Sequence, residues 1–138
     1  MAEGDPGVVP MLAYADGPAA MEWLCDAFGF RERRRMMDGD RLTHGELDTE
    51  FGRVMLATGP DSYEGPQRHR AHCAAADAWL SVPWIVDGVL VYVRDAQAHH
   101  DHARQRGATI LSAVESDFPG LRYRAEDLEG HRWMFMQR

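Results

Sequence analysis

His44 and Glu46 place an imidazole and a carboxylate two residues apart, the spacing that turns both to one face of a β-strand. A pair so placed can share a hydrogen bond and pass a proton to or from a third group, as general acid–base chemistry requires. Two strand residues can also pair for purely structural reasons, and both readings stay open for these two. Further on, His69, His72 and Cys73 form an HxxHC cluster. Its donor types suit zinc, but no fourth ligand accompanies it and it lies in a polar connecting stretch. His99, His100 and His102 cannot all share one helix face and read as solvated surface. The RERRR run (residues 31–35) alternates as the charged face of an edge strand does. Cys25 and Cys73 lie far apart and read as thiols rather than a disulfide.

The elements that position these groups occur twice. VVPMLAYAD (residues 8–16) and VDGVLVYVRD (residues 86–95) are apolar runs of strand length, each ending in an aspartate able to cap a following helix. Helical spacing follows Asp16, with Pro18 in the first turn and Gly29 as a left-handed stop. The stretch after Asp95 runs in the same way to Gly107. Three strand-like pieces then follow in each half: ERRRMM, RLTHGELD and RVMLAT, then TILSAV, LRYRAED and HRWMFM. Gly29 and Gly107 are 78 residues apart, as are Gly52 and Gly130. This matched spacing predicts a tandem duplication within a single domain of residues 1–138. The halves are βαβββ modules over 8–58 and 86–138, and 59–85 is a connector carrying Trp79 and Trp84.

One helix covers only one face of each module's sheet. Burial alone therefore predicts that two modules set their bare faces together around a cavity. Composition fits an ordinary globular protein, 45% apolar and 27% charged. The net charge of −7 argues against nucleic acid or anionic lipid as a partner. No apolar run approaches the roughly 20 residues that span a bilayer. The opening MAEGDPG has neither a basic nor an apolar leader pattern, so a cytoplasmic address is expected.

Several of these stretches resemble a known family. The run through "AFG" (residues 27–29), THGEL (43–47), the strand–helix unit ending in Gly107–Ala108, and EDLEGHRWMFM (126–136) are similar to landmarks of glyoxalase-like proteins in the vicinal oxygen chelate superfamily, which also holds bleomycin-resistance proteins and dioxygenases. Leu128 stands where that family's closing element carries proline. The resemblance implies an α+β fold, with two tandem βαβββ modules forming a curved mixed sheet around a cavity, and a homodimer. Metal-using members take His and Glu ligands from early in the first strand and late in the last strand of each module. Mapped by the Asp and Gly landmarks, those places hold Val9, Leu56, Gly88 and Met134, none of which offers a nitrogen or carboxylate oxygen. No metal and no cofactor is expected on that basis.

If Val9 faces the cavity, strand alternation adds Met11, with Leu90 and Tyr92 in the second module. Leu47 reads as core, which turns His44 and Glu46 inward, and the last strand contributes Arg132, Met134 and Met136. Met11, Leu56, Leu90 and Met134 then give an adaptable apolar lining, with Trp79 and Trp84 available to stack on a planar ligand. Trp133 has the opposite parity and reads as core. The resemblance thus implies a metal-independent protein that binds, and by that sequesters, a drug or metabolite. The alternatives are a glyoxalase-like lyase or isomerase using His44 and Glu46 as its catalytic candidates, and a scaffold kept for interactions alone.

Overall fold

The main helix of each module begins at its aspartate. In this computed structural model, which describes residues 4–117 and 120–138, the Asp16 carboxylate accepts from Ala19 N at 3.0 Å and Asp95 from Ala98 N at 2.9 Å. These caps start α1 (Gly17–Phe28) and α4 (Ala96–Gln105). Gly29, at φ 73°, closes α1 by donating to Cys25 O. Gly107, at φ 100°, follows the end of α4. Both conformations favour glycine.

Around α1 lie β1 (Met11–Tyr14), β2 (Arg31–Asp38), β3 (Arg41–Asp48) and β4 (Arg53–Thr58). Around α4 lie β5 (Val89–Val93), β6 (Thr109–Asp117), β7 (Gly120–Glu126) and β8 (Arg132–Gln137). The first sheet is ordered β1-β4-β3-β2 and the second β5-β8-β7-β6. In each, the first and last strands of the module pair in parallel and the other pairs are antiparallel. Both outer strands, β2 and β6, carry irregularities in register. The connector folds into two short helices, α2 (Pro66–Arg70) and α3 (Ala74–Leu80). The fold is the expected α+β pair of βαβββ units, and neither sheet closes into a barrel.

Strand alternation sorts the side chains. Tyr14, Leu42, Leu47 and Val54 of the first module and Val91, Val93, Tyr123, Trp133 and Phe135 of the second are buried on the helix side. The two helix sides share one core. Helices α1 and α4 are in contact, and Phe28 meets Trp133 and Phe135 edge-on at 5.6 and 4.7 Å. Within one chain, then, the covered faces meet. The expectation that the bare faces meet is corrected: they remain open, with Met11 78% exposed and Leu90 46%. The physical reason is that the helix-side aromatics at the end of α1 and on β8 pack against each other and bury their apolar surface in one shared core.

Polar groups clasp the modules together. The buried Asp127 carboxylate accepts from Tyr14 Oη at 2.6 Å, Trp133 Nε1 at 3.0 Å, and the backbone N–H groups of Glu129 and His131, each at 3.0 Å. Glu129 accepts from the N–H groups of Ala15 and Asp16, and His131 donates from Nε2 to Ala13 O. His99 and His102 tie the modules as well: His102 is exposed, as expected of a solvated surface, whereas His99 is half-buried. Each donates from Nε2 to a backbone carbonyl at the end of α1, Phe28 O at 2.8 Å and Asp26 O at 2.7 Å. A carbonyl can only accept, so His99 Nδ1 is left to accept from Tyr123 Oη.

Candidate functional site

The open face of the first sheet is built from alternate residues of four strands. Met11 on β1 lies opposite Met55 on β4; Glu46 on β3 lies between Met55 and Arg34; Met36 on β2 lies opposite His44. His44 donates from Nε2 to Glu46 Oε2 at 2.9 Å, so strand spacing does bring the pair together. Arg33 and Arg34 also approach the Glu46 carboxylate, at 3.5 and 3.6 Å. Together they bury it at 7% exposure although it lies on the open side of the sheet. The His44 hydrogen bond, helped by the Arg34 and Arg33 charges, holds the Glu46 carboxyl below the usual carboxylate range, against the opposing effect of burial.

Leu56 does not belong to this face. It is 2% exposed and packs in the helix-side core, and its neighbour Gly45 faces α1, since a Cβ there would lie 2.7 Å from Met21 Sδ. The open-face residue of β4 is Met55. The two modules are offset by 78 residues at their glycines but by 79 in these strands, where Met11 and Met55 pair as Leu90 and Met134 do. One residue's difference in offset moves a side chain through the sheet.

The second sheet presents Leu90 and Tyr92 from β5, Arg132, Met134 and Met136 from β8, and Arg122, Arg124 and Glu126 from β7. Arg132 is 5% exposed and serves chiefly to fix the connector. Its guanidinium donates to Leu80 O, Val82 O and Ile85 O and bonds Glu126 Oε1 at 2.9 Å. That holds the segment carrying Trp84 beside the sheet. A pocket of about 180 Å³ results, with Trp84, Leu90, Arg124, Arg132 and Met134 in its walls. A second pocket, about 300 Å³, lies at the seam of the modules and is lined by Pro10, Phe51, Leu90, Tyr92 and Arg138 among others. Leu90 belongs to both. The Arg138 guanidinium stands 4.7 Å from the Phe51 ring centre and 5.6 Å from that of Tyr92.

Of the residues singled out from sequence, Leu90, Tyr92, Arg132, Met134 and Trp84 are thus gathered around two adjoining pockets. Met11, His44 and Glu46 share the other sheet's open face. Trp79 stands exposed on α3 and lines neither pocket. Sequence reading missed Met55 and Arg124. Alternation along LRYRAE, with Tyr123 and Ala125 buried, is the signal that finds Arg124.

The donor set does not fit a metal centre of the family's kind. Val9, Gly88, Met134 and the re-registered Met55 offer no suitable donor, and among the described residues no three His, Cys, Asp or Glu side chains come together to hold an ion. His72 of the connector cluster instead bonds Glu64, which raises the His72 pKa.

The sequence matches the family model of the glyoxalase/bleomycin resistance protein/dioxygenase superfamily over residues 8–135. No protein of curated function matches it. Among solved structures the fold is similar to TioX from Micromonospora sp. ML1, at 29% identity over 96% of each chain with a TM-score of 0.71. It is also similar to the bleomycin-binding protein of bleomycin-producing Streptomyces verticillus, solved with copper(II)-bleomycin, at 18% identity over 100% of this chain and 99% of that one (TM-score 0.62). A glyoxalase I variant from Zea mays shares 16% identity over 94% of this chain and 44% of its own length, with a TM-score of 0.66. With the family model spanning both modules, the chain belongs to the glyoxalase/bleomycin resistance protein/dioxygenase superfamily.

Proposed function

We propose that the protein is a metal-independent binder of a small organic molecule, sequestering a drug or metabolite on the open faces of its sheets. The observation that carries this reading is the character of those faces. Met11, Met55, Leu90, Tyr92 and Met134 form an exposed or half-exposed apolar lining interrupted by a few polar groups, the make-up of an adaptable ligand site. The fold shared with a bleomycin-binding protein supports it.

Because the helix sides are used up within the chain, a cover for the open faces comes from a second copy. A homodimer setting the first sheet of one chain against the second sheet of the other joins His44 and Glu46 to the Trp84 pocket. Two-fold symmetry would create two such sites. The unpaired thiols Cys25 and Cys73 suit a reducing, cytoplasmic setting.

The glyoxalase-like reading rests on the His44–Glu46 bond. Glu46 is held firmly ionised, which suits orienting a ligand better than taking up a proton near neutral pH. Light scattering and calorimetric titration with bleomycin, metal-free and as the copper(II) complex, test the proposal together. A dimer whose binding weakens about threefold to tenfold in His44→Ala is expected. A monomer that binds neither form would overturn it.

A further inference from the structure

The Trp84 pocket contains a cation that forms no ion pair among the described residues. The Arg124 side chain has no hydrogen-bond or ion-pair partner among the described residues; its backbone N–H alone is engaged, with Ser112 Oγ. Two residues along the same strand, the Glu126 carboxylate is already bonded to Arg132 at 2.9 Å, with Arg70 at 3.8 Å. Glu115 lies near enough to be felt but forms no ion pair with Arg124, while Arg122 and Arg132 crowd it with like charge. Burial first, and then those two arginines, lower the Arg124 pKa. A second observation points the same way. Among the described residues, the buried side-chain polar atom left without a partner is Arg132 Nε, in a side chain that lines the same pocket. Buried donors are ordinarily satisfied; this one is shielded from the pocket, so it adds uncompensated positive character to the wall while Arg124 is the residue that offers donors to a ligand.

We propose that this pocket receives the anionic group, a carboxylate or another flat oxyanion, of a planar ligand whose ring lies against Trp84, Leu90 and Met134. This deepens, and rests on, the ligand-binding reading above. The protein's net charge of −7 would by itself favour a cationic ligand. Arg124 reverses that preference locally, since guanidinium recognises a planar oxyanion through two parallel N–H donors and stacks readily beside aromatic surface. At about 180 Å³ the pocket is below the usual range for a drug-sized site, so it fits a small aromatic acid or the acidic end of a larger molecule.

Naphthalene-2-carboxylate and its neutral twin naphthalene-2-carboxamide test this by calorimetric titration of the intact protein, with Arg124→Gln and Arg124→Lys beside wild type. The expected result is a roughly tenfold preference for the carboxylate in wild type, lost in Arg124→Gln and partly kept in Arg124→Lys. Carboxamide affinity should fall far less than carboxylate affinity in Arg124→Gln, because it loses at most a neutral hydrogen bond. Melting temperatures at or above the wild-type value in Arg124→Gln would show that the arginine serves the ligand rather than the fold, and a large fall would overturn that. Equal affinity for the two compounds, or a preference that survives Arg124→Gln, refutes the anion site while leaving the groove reading intact. Binding of neither compound refutes both.

Discussion

Asp127→Ala removes the acceptor at the join between the modules. In the folded protein that carboxylate takes four hydrogen bonds, two of them from Tyr14 Oη and Trp133 Nε1, whose residues are 0% and 1% exposed. Truncation leaves both donors buried where water has no ready access. Each such group costs about 1–3 kcal/mol, and the two N–H bonds in the β7–β8 turn add to the loss. Relief of the carboxylate's own desolvation offsets part of this, which leaves a net cost of about 3–5 kcal/mol. That is a large share of the roughly 5–15 kcal/mol that stabilises a domain. Urea unfolding followed by tryptophan fluorescence measures it, as a fall in midpoint with the slope preserved. Tyr14→Phe is the control: it deletes donor and bond together, so it should cost only about 1 kcal/mol. In the double variant the two losses should fail to add. A loss under about 1 kcal/mol in Asp127→Ala, or strict additivity with Tyr14→Phe, would refute the claim that this carboxylate holds the modules together.

At the start of α1, Gly17→Ala would set a Cβ 2.5 Å from Thr58 Oγ1 and 2.8 Å from Leu42 Cβ, disturbing the hydroxyl that accepts from the N–H groups of Gly17 and Leu42. A loss of about 1–3 kcal/mol, read as a drop of several degrees in melting temperature, is expected. Acid sensitivity should trace to His99, whose pKa burial lowers from the ordinary histidine value. Its folded state favours the neutral ring. No stability is lost above about pH 6.5, and stability then falls with pH until the folded-state pKa is passed. His72, raised by Glu64, works in the opposite sense at the surface, so the readout is the difference between wild type and His99→Gln. Urea midpoints of the two proteins should converge between pH 7.5 and 5.5, and parallel profiles would sink the assignment.

Much of the fold was legible because each module announces its own ends. Asp16 and Asp95 cap, Gly29 and Gly107 terminate, and strand alternation separates Leu47 and Trp133 from His44 and Met134. Local signals of this kind act within one turn or one strand. Leu56 shows where they fail. The glycines mark a 78-residue repeat, yet the second module's helix segment is one residue shorter and the difference is recovered after Gly130, so the last strands obey a 79-residue offset. Only the pairing of Met55 with Met11 discloses this, and pairing is a long-range property. Arg132 is a subtler case. Its strand parity was readable, but its work is to bind three connector carbonyls about 50 residues away.

Which faces meet within the chain lies beyond alternation altogether, since a helix side and a bare side look equally two-fold along a strand. The outcome turns on surplus apolar surface. Phe28 ends α1 and Phe30 follows it; Trp23 meets Phe28 within the module, and Trp133 and Phe135 pack against both phenylalanines from the other. Once that aromatic cluster forms, both open faces are turned outward together and neither can serve as the other's cover. Under the proposed function, ligand binding by this chain is then tied to association. If a single copy alone proves able to enclose a ligand with the affinity of the assembled protein, the link between aromatic packing at the helix end and the composition of the site is broken.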